Sequence, residues 1–115
     1  MTTISKDIGR DDLLIHRGCD ERFCSKWMID NRDGKGYVEK DLRKWTAKFF
    51  LYCNNKQVYE QDCITDSHGY AIASIPAKAF EDNLWLTRSN GEWKIVGYGD
   101  NGEQEWLAWG YYEMV

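Results

Sequence analysis

Residues 45–53 read WTAKFFLYC, and their side chains alternate with period two. One face of this segment takes Trp45, Ala47, Phe49, Leu51 and Cys53, and the other takes Thr46, Lys48, Phe50 and Tyr52. Successive side chains of a β-strand point to opposite faces, so the pattern predicts a strand with one buried face. The polar triplet NNK at 54–56 predicts a turn, after which residues 57–65 return as the partner strand.

The same alternation of apolar and polar residues continues on both sides of this hairpin. Strands are predicted at 13–17, 22–30, 70–75, 83–88, 92–98 and 104–115, with 83–88 and 92–98 forming a hairpin about Ser89-Asn90-Gly91. Pro76 and the residues up to Phe80 predict one short helical turn. Such closely spaced strands, about seven or eight in number, are typical of an all-β sandwich or barrel, of which we predict the sandwich. The lack of long helical periodicity excludes a parallel α/β fold. Residues 1–115 are expected to form one domain, with 1–8 as a flexible N-terminal arm.

Composition excludes several classes of partner. The chain is 43% hydrophobic and 15% aromatic, which is enough to build a core, and its net charge is −4. Its basic residues are interleaved with acids and form no track for phosphates, so no nucleic acid is expected. No run approaches the ~20 apolar residues of a membrane span, and the first ten residues do not read as a signal peptide, so no membrane partner is expected.

Metal and catalytic motifs are not recognisable. The loop 30–39 resembles a calcium loop, but the first ligand position falls on Ile29, which has no side-chain oxygen. Neither cysteine spacing matches a zinc knuckle, so Cys19, Cys24, Cys53 and Cys63 are expected to be reduced and mostly buried. A disulfide from Cys19 or Cys24 to a later cysteine stays open as an alternative. No metal and no cofactor is predicted.

Histidine chemistry is the one route to catalysis that the sequence leaves open. His16 and His68 are the only histidines, and no serine, cysteine or carboxylate stands at the spacing of a known catalytic motif. We therefore predict no catalytic residues and no enzyme. A Cys–His pair assembled by the fold is the alternative.

Aromatic side chains crowd the last third of the chain. In the terminal segment, Trp106 is predicted to share a face with Tyr112, and Trp109 with Tyr111. Large apolar groups on both faces suit a strand that the core covers on one side. The other side is expected to face a loop or a partner subunit, with simple exposure as the alternative. Interface candidates are therefore Trp106, Trp109, Tyr111 and Tyr112. Stacking of these rings on sugars is the alternative.

The order of the motifs resembles a known family. The motifs are LIHRGCD at 14–20, WMID at 27–30 before the Asp33-Gly34 loop, DLRKWTAKF at 41–49, the strand 69–75 before Pro76-Ala77, and the closing WKIV at 93–96, Asn101-Gly102 and WLAWG at 106–110. In this order they are similar to the immunoglobulin-like β-sandwich modules of bacteriophage virion proteins, especially tail and baseplate components.

The resemblance implies an immunoglobulin-like antiparallel sandwich without an active site. It implies a non-enzymatic phage virion structural protein that acts as a protein–protein assembly module of the tail, baseplate or head. Such a protein would be assembled in the host cytoplasm, would reside in the virion and would bind other virion proteins. A homo-oligomer is also compatible with the resemblance. A host-surface or carbohydrate-binding module is the alternative.

Overall fold

A computed structural model describes residues 10–30 and 32–115. The predicted arm, residues 1–8, lies outside the described residues. The described elements are nine strands and two 3₁₀ helices: β1 Leu13–Ile15, β2 Glu21–Lys26, β3 Met28–Asp30, β4 Tyr37–Glu39, β5 Thr46–Cys53, β6 Lys56–Thr65, β7 Tyr70–Ile75, η1 Ala77–Phe80, η2 Asn83–Thr87, β8 Asn90–Tyr98 and β9 Gln104–Met114. The all-β prediction is confirmed. Among the described residues, no helix is long and apolar enough to span a membrane.

Seven strands form one sheet in the order β1-β9-β8-β5-β6-β7-β2, and β3 pairs with β4 in a separate ribbon. All pairs in the large sheet are antiparallel except β1 with β9, which is parallel. Strand β6 joins the two halves, because it pairs with β5 along its length but with β7 only at Ile64 and Thr65.

The sheet folds over so that its two halves pack against each other. Phe23 of β2 stacks on Phe49 of β5 with ring centroids 5.9 Å apart, although two strands separate β2 from β5 within the sheet. Phe49 also stacks on Trp93 of β8 at 6.0 Å and is fully buried. The alternation predicted for 45–53 is therefore correct, and its inward face is the centre of the core. The narrower expectation of immunoglobulin-like topology stays a prediction.

The turn predicted at 54–56 is present, but it is one residue shorter than predicted. Cys53 pairs with Lys56, so the β5–β6 turn consists of Asn54 and Asn55 alone, both with positive φ (52° and 63°). Two-residue hairpin turns of this kind need φ > 0 at both positions, which asparagine tolerates.

The predicted strand 22–30 is interrupted at Trp27. The backbone N–H of Trp27 donates to the Gly69 carbonyl (2.8 Å), and its own carbonyl accepts from the N–H of Lys40 (3.0 Å). These bonds redirect the chain from β2 into β3. Gly69 has φ +86°, and a Cβ there would meet the Trp27 carbonyl oxygen, so only glycine fits this approach.

The predicted strand 83–88 is wrong. Residues Asn83–Thr87 form the helix η2, and the Asp82 side chain accepts the N–H of Leu84 at 2.9 Å as its N-terminal cap. Only Trp85 turns inward, where its ring contacts Phe80 at 4.7 Å. A capped 3₁₀ turn buries the one large ring that the core needs and leaves Leu84 exposed. The predicted turn after Pro76 is confirmed as η1, so there are two short helices in the described chain and not one.

Candidate functional site

The outer face of β5, β8 and β9 carries an aromatic band, which follows from the strand register. Tyr52, Glu92 and Tyr111 lie side by side in one row of the sheet. Phe50, Lys94 and Trp109 lie side by side in the next. Since β8 is the middle strand of the three, its two charged side chains stand between the rings of its neighbours.

Lys94 contacts three rings of this band. Its ammonium lies 4.8 Å from the ring centroid of Tyr52, 4.8 Å from that of Trp106 and 5.9 Å from that of Phe50. The negative face of an aromatic ring attracts a cation at such distances, and each contact is worth about 0.5–1 kcal/mol at an exposed site. The lysine therefore links three rings of the band through its ammonium group.

A bulge in β9 brings Trp106 to this face. Ile95 pairs with Ala108 and Val96 with Trp106, so Leu107 is an extra residue in β9. Leu107 packs against the core, and Trp106 turns outward with 45% of its surface exposed. The prediction that Trp106 shares a face with Tyr112 is wrong for this reason: one inserted residue inverts the alternation.

A groove of about 320 Å³ opens between these side chains. We call it the β8 groove; it is lined by Tyr52, Asn55, Glu92, Trp93, Lys94, Trp106 and Trp109. The turn at Asn54-Asn55 brings an amide to one end of the groove, and β8 supplies a carboxylate and an ammonium. Trp93 is held from the core side, since its indole N–H donates to the Asp11 carbonyl at 2.7 Å. The groove thus combines ring faces with donors and acceptors.

A second surface lies at the edge of the sheet. We call it the β1–β9 edge; it is a concavity of about 530 Å³ lined by Asp12, Leu13, Leu14, Asn90, Tyr111, Tyr112 and Glu113. Leu14 is 50% exposed and Tyr111 is 42% exposed. This surface offers apolar side chains beside a strand that has no partner on its other side among the described residues.

Arg10 and Asp12 fix the Tyr111 end of this edge. The Arg10 guanidinium lies 4.5 Å from the Tyr111 ring centroid and pairs with both Asp12 carboxylate oxygens at 3.0 and 2.9 Å. Asp12 also accepts the backbone N–H of Tyr111 at 3.1 Å. These hydrogen bonds, from Arg10 first and from Tyr111 second, lower the pKa of Asp12. The carboxylate therefore stays charged and keeps β1 aligned with β9.

Of the four interface candidates, Tyr112 does not lie at the surface. It is 3% exposed, and its hydroxyl donates to the Arg88 carbonyl at 3.0 Å. The bulge at Leu107 sets the alternation so that even-numbered residues of β9 beyond it face the core. Trp106 and Trp109 lie together in the β8 groove, and Tyr111 lies next to Trp109 with ring centroids 6.1 Å apart.

Both histidines contact glutamates. His16 Nδ1 lies 3.0 Å from Glu21, and His68 Nδ1 lies 3.3 Å from Glu39, which also pairs with Lys26 at 2.9 Å. Both rings are exposed, and in the described part of the chain neither is hydrogen-bonded to a cysteine. The absence of enzymatic activity stays a prediction.

The four cysteines are free thiols. Cys53 is buried and Cys63 half-buried, but Cys19 and Cys24 are exposed, so the expectation of mostly buried thiols is wrong for these two. Burial, aided by the charge of Asp62, raises the pKa of Cys63 to about 12. Across residues 10–30 and 32–115, no three His, Cys, Asp or Glu side chains are grouped so as to hold a metal ion.

The fold and its two surfaces define an all-β domain with an aromatic groove on an outer sheet face and an apolar strand edge. Among solved structures, the chain is similar to the "N-terminal domain of phage TP901-1 ORF48", with a TM-score of 0.50 and 12% sequence identity over 92% of this chain and 84% of that one. At this identity the likeness shows a shared fold. No protein-family profile matches the chain, and no curated protein sequence matches it.

Proposed function

We propose that this protein is a non-enzymatic structural component of a phage virion, an assembly module of the tail, baseplate or head that binds other virion proteins. Two observations support the proposal. The fold is similar over most of the chain to a domain of a phage protein. The β1–β9 edge also presents exposed apolar groups beside β1, which pairs with β9 on one side and has no strand partner on its other side among the described residues. The protein would be assembled in the host cytoplasm and reside in the virion.

The backbone hydrogen bonds near β1 show which of its N–H and C=O groups face away from β9. The N–H of Asp11 donates to the Trp109 carbonyl at 3.0 Å, and the Ile15 carbonyl accepts from the N–H of Val115 at 2.9 Å. Odd-numbered residues thus bond to β9, so the backbone groups of Leu14 point away from the sheet. A strand from another chain can add to such an edge while its side chains bury Leu14 and Tyr111. Because β1 has only three residues, side-chain contact must supply most of the affinity.

Virion incorporation tests the proposal. Purified virions should contain the protein in a fixed ratio to the major capsid protein, as quantified by mass spectrometry. Leu14→Glu places a charge in the docking surface and should reduce that ratio severalfold. Ile64→Glu is the matched control, since Ile64 is 67% exposed on the other half of the sheet. A protein absent from virions and monomeric by light scattering would contradict the assembly role.

A host-surface or carbohydrate-binding function is the second candidate, and the β8 groove favours it. Sugar recognition needs polar groups that converge beside ring faces, a property the sequence alone could not show. The structure brings Asn55, Glu92 and Lys94 beside the rings of Trp106 and Trp109. This surface is separate from Leu14, so one module can hold both functions.

A further inference from the structure

We infer that the β8 groove binds one neutral pyranose ring of a surface saccharide. The inference deepens the second proposed function and does not depend on the assembly role of the β1–β9 edge. It rests on the ring faces, on the polar groups between them, on the position of the charges and on the size of the groove.

The rings offer stacking surfaces. Trp106 is 45% exposed and Trp109 is half-buried, and both line the groove. The Lys94 ammonium, 4.8 Å from the Trp106 ring centroid, lies where the negative ring face attracts positive charge. The axial C–H groups of a pyranose carry partial positive charge on an otherwise apolar face, so they suit the accessible ring surfaces of these two tryptophans.

The polar groups match hydroxyls. The amide of Asn55 donates and accepts, the carboxylate of Glu92 accepts, and the ammonium of Lys94 donates. A sugar hydroxyl is both a donor and an acceptor, so vicinal hydroxyls can satisfy this mixed set. The charges of Glu92 and Lys94 cancel, which favours a neutral sugar over an acidic one.

The position of the charges argues against a protein partner at this groove. Glu92 and Lys94 lie on β8, in the middle of the aromatic band, whereas the cores of protein interfaces are depleted of Lys and Glu and keep charges at the rim. A protein face would have to strip water from both charges, which is unfavourable where the pairing is imperfect. A saccharide keeps its outer edge wet, and waters can bridge the remaining contacts.

The size of the groove limits the ligand. Its volume of about 320 Å³ lies at the lower end of the range for small-molecule pockets, roughly 300–1,000 Å³. A groove of this size accommodates a single sugar ring, which can be one unit of a longer saccharide chain.

NMR titration tests the inference on the intact chain. The probes are methyl pyranosides of glucose, galactose, N-acetylglucosamine and rhamnose, each added to millimolar concentration while the indole N–H signals are followed. At least one glycoside should shift the signals of Trp106 and Trp109 in a saturable manner. If no glycoside shifts either signal, the inference is overturned.

Variants assign the site. Trp109→Ala and Trp106→Ala should each weaken binding by about tenfold, the scale expected for loss of one aromatic contact. Glu92→Gln should weaken binding severalfold while thermal stability is unchanged. Ile64→Ser on the opposite half of the sheet is the matched control and should bind as the parent chain does.

Two outcomes would refute the site. Undiminished binding by both tryptophan variants would place the sugar elsewhere. Loss of virion incorporation in those variants, without any glycoside response in the parent chain, would make the groove a protein contact. A glycoside response in a chain that never enters virions would refute the assembly role alone, so the two proposals fail separately.

Discussion

Replacing Phe49 by alanine tests the central feature of the fold, the packing of the two sheet halves against each other. The ring is fully buried and lies 5.9 Å from Phe23, 6.0 Å from Trp93 and 6.5 Å from Tyr59 by centroid distance. Loss of a phenylalanine from a core costs about 3–5 kcal/mol. At ~0.05–0.15 kcal/mol per residue, a chain of 115 residues has a free energy of unfolding of roughly 6–17 kcal/mol. Phe49→Ala should therefore remove a large fraction of the stability.

Urea unfolding followed by tryptophan fluorescence and circular dichroism measures this loss. Ile64→Ala, at an exposed position, is the control and should change the free energy of unfolding by no more than about 0.5 kcal/mol. A double-mutant cycle between Phe49→Leu and Phe23→Leu isolates the contact between the halves, and we expect a coupling of about 0.5–1.5 kcal/mol. Strictly additive costs would mean that the two rings do not touch, which would refute the folded-over sheet.

Three further predictions concern single residues. Burial raises the pKa of Cys63 from 9.0 to about 12, so near neutral pH its thiolate is about a thousandfold scarcer than that of an unshifted thiol. Alkylation followed by mass spectrometry should modify exposed Cys24 long before Cys63, and equal rates would contradict the burial of Cys63. Gly110→Ala should destabilise the fold by more than about 2 kcal/mol in urea unfolding, because its Cβ would collide with the Asp11 carbonyl oxygen. A neutral substitution would contradict this close approach of Asp11 to β9. Burial raises the pKa of Tyr112 from 10.0 to about 12, so the stability that its neutral hydroxyl contributes is complete below pH 10 and is lost as pH rises toward 12. Urea midpoints measured across that interval should fall less for Tyr112→Phe than for the parent chain. Parallel falls in the two chains would contradict the raised pKa of Tyr112.

The hairpin at the centre of the sheet is predictable from the sequence. Its strand β5 has a fully buried inner face, and a polar Asn-Asn pair at its end sets the turn, so alternation and turn chemistry give the same answer. The same holds for β7, where Ala71 and Ala73 face inward in register with β2. When one face of a strand is buried, the alternation of its own residues predicts which side chains point into the core.

The segment from 83 to 88 shows where local alternation misleads. Leu84, Trp85 and Leu86 can be read as a strand, but burial of a single ring needs only one turn of helix. The signal that decides between them is Asp82, whose carboxylate caps the N–H of Leu84. In this segment the capping residue Asp82 indicates the observed helix, whereas the apolar pattern does not.

The β8 groove could not be predicted from the sequence, because it depends on the bulge at Leu107. No residue type in β9 indicates that change of register. If β9 alternated regularly, Trp106 would point into the core and Leu107 outward, and Lys94 would have no ring on its Trp106 side. The extra residue instead places Leu107 against the core, where its Cδ1 lies 3.1 Å from the position that a Cβ on Gly97 would occupy, so Gly97 leaves the room that the bulge requires. Bulges of this kind re-aim side chains near binding sites at the expense of ladder regularity. The outward position of Trp106 therefore follows from core packing at Gly97 and Leu107, so we expect substitutions at those two residues to alter the groove without touching a groove side chain.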